Sequence, residues 1–271
     1  MRALAETARW AAAWRERESL RADRLFHDPW ASLLAGAEGR RMLELADAAN
    51  SRQESVGAHL AVRTRFCDDR AVAAQQVVSV AAGMDARAFR MDWHPGVRSF
   101  EFDQAEVMEL KLKLLNQQVP RCCWEPFAAD VREDWTGPLG NTGFQHAAPT
   151  VWILEGILQY LSETEVHTLL ARITACSAPG SMLCADLPSA SFFRSPWTRP
   201  AMEACAVRGV GWQFASDDPE MLVERHGWKA EVRQLGEEGA NYGRWTDRVF
   251  DRKLTEIPRF FLVCAARPSN L

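Results

Sequence analysis

The sequence predicts an α/β fold in which an open parallel sheet carries helices on both faces. Three observations lead there. Gln76 to Ala82 reads QVVSVAA, a β-branched apolar run that stops at Gly83. Thr150 to Glu155 reads TVWILE, the continuous apolar run of a strand buried on both faces. Between and after them, strand-like and helix-like segments follow one another at the spacing of β-α-β units.

Taken in order, Leu4 to about Ala74 is helical, with apolar residues recurring every three or four positions. His27-Asp28-Pro29 interrupts it, Asp28 reading as an N-cap and Pro29 as the first helical position. After the first strand and Gly83, Ala86 to Arg90 reads as a turn of helix. Val97 to Asp103 is a strand, Glu106 to Gln118 a helix, and Arg121 to Ala129 a strand closing on Asp130. Thr164 to Ser177 is an amphipathic helix capped by Ser162 or Thr164, and Pro179-Gly180 turns the chain into the strand Ser181 to Asp186. Pro188 to Ser216 breaks the alternation with prolines and a cluster of aromatics, Phe192, Phe193, Trp197, Trp212 and Phe214. Pro219 to Gly227 is again helical, and Trp228 to Leu235 and Arg259 to Ala266 are late strands separated by Gly236 to Pro258. One domain spans 1–271: a helical extension (1–74), a core (75–187), an inserted lid (188–218) and a closing part of the core (219–271).

With 271 residues, 47% hydrophobic and 25% charged, the chain has the means to bury one large core. Its 32 Lys and Arg against 36 Asp and Glu give a net charge of -4, so no basic field marks it for nucleic acid. No apolar run reaches the length of a membrane span and no leader pattern opens the chain, so the cytoplasm is the expected location. Seven cysteines, Cys67, Cys122, Cys123, Cys176, Cys184, Cys205 and Cys264, form no CxxC pair or ligand cluster and read as buried reduced thiols. The six histidines form no HExxH, so no metal site is expected. Walker A and GxSxG motifs are absent, which removes P-loop phosphoryl transfer and the commonest hydrolase chemistry.

In an open α/β sheet, ligands bind beyond the carboxyl ends of the strands. Here those ends carry Gly83 and Asp85, Glu101 and Asp103, Asp130, Glu155 and Asp186. A glycine after the first strand lets backbone approach a ligand, and an acid about 20 residues later can receive a ribose diol; Gly83 and Asp103 have that offset. Ala81-Ala82-Gly83-Met84-Asp85 lacks GxGxxG and so lacks a pyrophosphate cradle, which disfavours a nicotinamide oxidoreductase and points to a nucleoside without phosphates. S-adenosylmethionine has that chemistry. Asp103 would take its ribose, Asp130 its adenine amino group, Glu155 its ammonium, and an arginine of the amino-terminal helices its carboxylate.

Five segments occur in order: Phe26-His27-Asp28-Pro29-Trp30, Val62-Arg63-Thr64-Arg65-Phe66, Val80-Ala81-Ala82-Gly83-Met84-Asp85-Ala86-Arg87, Phe100-Glu101-Phe102-Asp103, and Leu154-Glu155-Gly156-Ile157-Leu158-Gln159-Tyr160-Leu161. Together they resemble the leucine carboxyl methyltransferase family, including its bacterial small-molecule and polyketide O-methyltransferases. The resemblance implies a class I methyltransferase fold and S-adenosylmethionine as cofactor. By position it implicates Arg15 and Arg63 with the methionine carboxylate, Gly83 with the tail, Asp103 with the ribose, Asp130 and Val131 with the adenine, and Glu155 beside the amino group. Arg65 is the alternative to Arg63. The family has glycine where this chain has Ala81, and a methyl there would crowd the cofactor.

Methyl transfer from a sulfonium is an in-line displacement to which an enzyme contributes alignment and exclusion of water. A carboxylate acceptor, with a pKa of about 4, is already ionised at pH 7, whereas a phenol, at about 10, needs a base. His94, His146, His167 and His226 fall in expected loops or on exposed helix faces, so the sequence favours a carboxylate acceptor, and the resemblance implies a small organic acid of secondary metabolism. A hydroxyl acceptor, or binding of S-adenosylmethionine without catalysis, are the alternatives. Tyr160, just past the fourth strand, is placed to orient an acceptor oxygen. Phe193 and Trp212 of the lid, with Arg194 and Arg199, would wall the acceptor pocket, and Tyr242 and Arg244 resemble a family loop near the substrate.

Overall fold

A computed structural model describes residues 2–49, 53–196, 198–199, 202–203, 206, 209 and 211–269. Trp197 and Cys205 lie outside the described residues. The amino-terminal region forms three helices, α1 (Arg2–Ser19), α2 (Ala31–Ala49) and α3 (Gln53–Ala71). Asp28 opens α2, accepting from the Trp30 amide at 3.0 Å. There follow β1 (Gln76–Val80), α4 (Arg87–Arg90), β2 (Arg98–Asp103), α5 (Ala105–Leu115), β3 (Cys123–Ala128), α6 (Thr136–Asn141) and β4 (Thr150–Leu154). A 3-10 turn (Leu158–Tyr160), α7 (Glu163–Ala175), β5 (Met182–Pro188), α8 (Ser191–Arg194), α9 (Pro219–Glu224), β6 (Lys229–Gln234) and β7 (Phe260–Ala266) complete the order. Of the two residues that could cap α7, Ser162 does so: it accepts from the Glu165 amide while Glu165 reaches back to the Ser162 amide.

The seven strands form one sheet in the order β3-β2-β1-β4-β5-β7-β6. The five strands up to β5 are parallel, and β7 runs antiparallel to both β5 and β6. The sheet is therefore mixed where the alternation alone implied parallel. The cause is the connection 236–258: it carries no crossover helix, so the chain returns in the opposite direction. Pairing with β7 also prolongs β5 to Pro188, opposite Phe260, so Asp186 lies inside the strand rather than at its end.

Alternate residues of β4 sort to the two faces, as a strand's period of two requires. Trp152 and Leu154 join Phe100, Phe102, Trp135 and Leu169 on the α6/α7 face. Val151 and Ile153 join Val62, Phe66, Val77 and Leu262 on the α3 face. Trp135 and Trp152 are fully buried, and each large apolar side chain removed from water contributes roughly 1.5–3 kcal/mol. A third cluster ties α1 and α2 to Met84, Phe89 and Val107, so the amino-terminal helices are packed onto the core.

β3 is an edge strand, which is why it tolerates Pro126 and why Cys123 is exposed. The expectation of uniformly buried thiols is corrected accordingly. Cys67, Cys176 and Cys184 are buried, whereas Cys122 and Cys264 are half-buried. Among the described residues no helix is long and apolar enough to cross a membrane.

Candidate functional site

The turn after β1 is bent by two residues in the left-handed region, Ala81 (φ 51°) and Gly83 (φ 53°). Glycine adopts this conformation freely, whereas an L-residue such as Ala81 is strained by roughly 1–2 kcal/mol. The bend aims the Gly83 amide at Asp103 Oδ2 (2.7 Å), while Asp103 Oδ1 accepts from the Gln104 amide (2.7 Å). Burial raises the Asp103 carboxyl above its ordinary value, and the two amide hydrogen bonds oppose that rise. α1 closes over this turn. A Cβ on Gly83 would meet Ala8 Cβ at 3.3 Å, and Arg15 donates to the Met84 carbonyl while its Nε reaches Asp28 Oδ2 at 3.3 Å. Beyond β3, Asp130 accepts from Gln104 Nε2 (2.8 Å) and the Arg132 amide (2.9 Å), with Val131 buried beside it.

Between the end of β4 and the inside of β5 lies a buried cluster of charge. Arg63 Nη1 donates to Asp186 Oδ2 at 3.0 Å, and Asp186 Oδ1 accepts from the Gly156 amide at 2.6 Å. Gly156 is required there, because a Cβ would come within 2.8 Å of the Arg63 guanidinium. Burial alone would raise the Asp186 carboxyl; Arg63 and His59 outweigh it and hold it at about 2. Glu155 is bonded by Arg87, which also binds Asp85 (2.8 Å) and Asp68 (2.7 Å). Arg63 Nε and Glu155 Oε1 face each other at 3.4 Å, both buried and both without a hydrogen-bond partner. Buried polar atoms are ordinarily satisfied. A zwitterion offers each what it lacks, an ammonium for Glu155 and a carboxylate for Arg63, so this donor set fits the amino-acid end of S-adenosylmethionine.

Beside this cluster stands an aromatic wall. Phe260 lies 4.8 Å from Phe192 and 5.8 Å from Trp212, and Tyr160 meets Trp212 edge-on at 6.4 Å. The segment before α9 is fastened to the 3-10 turn by the Gln213 amide on Gln159 O (2.7 Å) and by Gln213 Nε2 on Tyr160 O (3.0 Å). His59 stacks on the inner side of Phe260 at 4.0 Å, its Nε2 3.2 Å from Asp186 Oδ2. A recess of about 90 Å³ opens next to Phe192 and Phe260 and is lined further by Trp245, Arg248, Phe250 and Arg259.

The fold thus gathers Arg15, Gly83 and Asp103 around the turn after β1, leaves Asp130 and Val131 beyond β3, and joins Arg63 to Glu155 just past β4. Arg65 does not join them: it is half-exposed, paired with Asp69 at 2.6 Å, and donates to Leu25 O at 3.0 Å. Tyr160 and Trp212 meet in the wall. Phe193 does not: α8 is a single turn in which neighbours diverge by about 100°, so Phe192 packs inward and Phe193 is 43% exposed. Arg194 is exposed near Asp217 (3.9 Å), and Arg199 is exposed. Tyr242 donates to Asp69 (2.9 Å) and Arg244 to Glu18 (3.0 Å) and Asp23 O (2.6 Å), contacts that fasten the 236–258 connection to α3 and α1. Sequence reasoning passed over Arg87, Asp68 and His59. His59 lies one helical turn from Arg63, and that i, i+4 spacing is the signal that could have found it.

The sequence profile of the leucine carboxyl methyltransferase family matches residues 8–174. A Streptomyces avermitilis protein named "Putative S-adenosyl-L-methionine-dependent methyltransferase" is 40% identical over 249 residues, covering 88% of this chain and 87% of its own. A relative of the same description from Streptomyces coelicolor is 40% identical over 256 residues, with the same coverage. In fold, the chain is similar to a DUF574 family protein from Streptomyces avermitilis, at a TM-score of 0.62 and 12% identity over 97% of each chain. It is similar also to SibL, an S-adenosylmethionine-dependent methyltransferase solved in its apo form, at a TM-score of 0.52 and 17% identity over 96% of this chain and 70% of that one. With the class I sheet order, strand-end acids and a polar cluster that suits the cofactor's amino-acid end, these matches establish that the chain belongs to the leucine carboxyl methyltransferase family and is an S-adenosylmethionine-dependent methyltransferase.

Proposed function

We propose that this transferase methylates an oxygen of a small organic acceptor held between the strand ends and the aromatic residues Phe192 and Trp212. The observation that carries the reading is the aromatic wall of Tyr160, Phe192, Trp212 and Phe260, set against the polar cluster of Arg63, Glu155 and Asp186. In this reading Asp103 receives the ribose hydroxyls, Asp130 and Val131 flank the adenine, and Gly83 lies under the amino-acid tail. Arg63 takes the carboxylate, with Arg15 above the turn, and Glu155 takes the ammonium. Bound S-adenosylmethionine supplies an electrophilic methyl carbon, and what remains for the protein is to align the acceptor oxygen and exclude water.

Two acceptor chemistries are open to such a pocket. A carboxylate is supported by the reaction for which the family is named, and it needs donors but no base. Of the cations the sequence offered for it, Arg244 is engaged by Glu18 while Arg194 and Arg199 are exposed, and Arg248 and Arg259 line the recess beside Phe192 and Phe260. A hydroxyl is favoured by the His59–Asp186 pair beside the wall, and the geometry gives it the greater weight. The deciding experiment offers phenols and aryl carboxylic acids with methyl-labelled cofactor, then treats the labelled product with mild alkali. Methyl esters release the label and aryl ethers retain it; label in neither product removes the O-methyl reading.

A further inference from the structure

We propose that His59, oriented by Asp186, takes the proton of a hydroxyl acceptor as that oxygen is methylated, so that the natural acceptor is a hydroxylated aromatic molecule. The proposal rests on the O-methyl reading above and names the acceptor class for the same site.

The placement follows from the topology. α3 ends at Ala71 and the short link 72–75 leads directly into β1, so the carboxyl end of α3 lies at the amino edge of the sheet. Its amino-terminal half therefore reaches the carboxyl edge, where ligands bind. His59 is one turn further out than Arg63, on the same face, between the charged cluster and the aromatic wall.

The chemistry follows from the hydrogen bond. Asp186 has a side chain with no exposed surface, and its charge is held by Arg63 and the Gly156 amide, so it accepts. His59 Nε2 must then donate, which fixes the tautomer and leaves the lone pair on Nδ1. Among the described residues Nδ1 has no hydrogen-bond partner, and the His59 side chain keeps 11% of its surface exposed. The charged groups facing the ring are Asp186 from β5, Glu155 from beyond β4 and Arg63 from its own helix; β7 presents only the Phe260 ring. Burial lowers the imidazole below its ordinary 6.5, with Asp186 opposing, so the ring is neutral at pH 7 and ready to accept a proton.

In the step, the acceptor O–H bond breaks and its proton passes to Nδ1. The oxygen pair forms the new bond to the methyl carbon, and the pair of the breaking C–S bond stays on sulfur. The sulfonium charge is cancelled as the imidazolium charge appears, and the imidazolium later returns its proton to water. The wall supplies ring faces for an aromatic acceptor, which stack at about 0.5–1.5 kcal/mol each beyond simple burial.

The test uses the full chain with S-adenosylmethionine and two panels, substituted phenols and substituted benzoic acids. Phenols are expected to give alkali-stable ethers, with a rate that is level above about pH 7 and falls tenfold per pH unit on the acid side of the His59 titration. His59→Gln, which keeps a polar group of similar reach, should lower kcat by about 10²- to 10⁴-fold. Cofactor affinity should be unchanged, and the residual rate should climb with pH toward the phenol's own pKa of about 10. A merely structural histidine would leave that profile unaltered. Independently of turnover, nitrogen-15 spectra of the unliganded protein should show His59 neutral at pH 7 with its proton on Nε2. Alkali-labile esters from benzoic acids alone, at rates that His59→Gln does not change, would overturn the proposal while leaving the O-methyl reading intact. A His59 proton found on Nδ1 would overturn it as well.

Discussion

Replacing Arg63 by alanine should damage folding as well as cofactor binding, and the two effects can be separated. The guanidinium is 11% exposed and lies against Asp186, whose side chain is wholly buried, and Glu155, which is 14% exposed. Its loss leaves Asp186 with only the Gly156 amide and His59, a buried charge deprived of its counter-ion. Breaking such a pair costs about 3–5 kcal/mol, a large share of the roughly 5–15 kcal/mol that holds a domain folded. At roughly 2.1 cal/mol/K per residue, 271 residues give an unfolding entropy of about 0.6 kcal/mol/K, so Tm should fall by about 5–9 °C. Arg65→Ala removes a half-exposed i, i+4 pair and a hydrogen bond to Leu25 O, and should cost about 1–2 kcal/mol. Thermal unfolding of both variants, followed by calorimetric titration with S-adenosylmethionine at a temperature where each remains folded, gives stability and affinity separately. The reasoning is refuted if Arg65→Ala loses as much stability as Arg63→Ala, or if folded Arg63→Ala binds the cofactor with undiminished affinity.

Asp103→Ala should weaken S-adenosylmethionine about 10- to 100-fold, the loss expected for charge-assisted hydrogen bonds; unaltered calorimetric affinity in a folded variant would remove Asp103 from the site. Ala81→Gly relieves roughly 1–2 kcal/mol of left-handed strain against about 0.4–1 kcal/mol of added unfolded-state entropy, so Tm should rise by one or two degrees, and a drop would contradict the strained turn. Burial lowers both His59 and His226 below 6.5, the latter with His167 at 2.9 Å adding to the effect. The unfolded chain then binds more protons than the folded one below that value, so their stabilisation is complete above about pH 6.5 and declines as pH falls; a urea midpoint higher at pH 5.5 than at 7.5 would reverse that sign. Trp212→Ala should raise the acceptor KM or lower kcat with cofactor affinity intact, whereas exposed Phe193→Ala should change little; equal kinetic effects would place Phe193 in the wall after all.

Periodicity and strand-end chemistry determine much of this protein on their own. Apolar runs ending in acids are local features, so β1, β2, β4 and α7, with its cap narrowed to Ser162 or Thr164, were legible, as was the Gly83 to Asp103 offset that the structure closes with a 2.7 Å hydrogen bond. Direction and pairing are different in kind. Nothing local in 259–266 says that β7 runs antiparallel, and that choice carries β5 past Asp186 and sets Phe260 over His59. Residue identity could not tell Phe192 from Phe193, because the turn of α8 that aims one inward is fixed by packing on Trp212 and Phe260. Nor could it show that Arg244 is held by Glu18, 226 residues away, or that His59 meets Asp186 across 127. Such contacts join segments distant in sequence, and only when the sheet order brings α3 onto β4 and β5 do the charges acquire their partners.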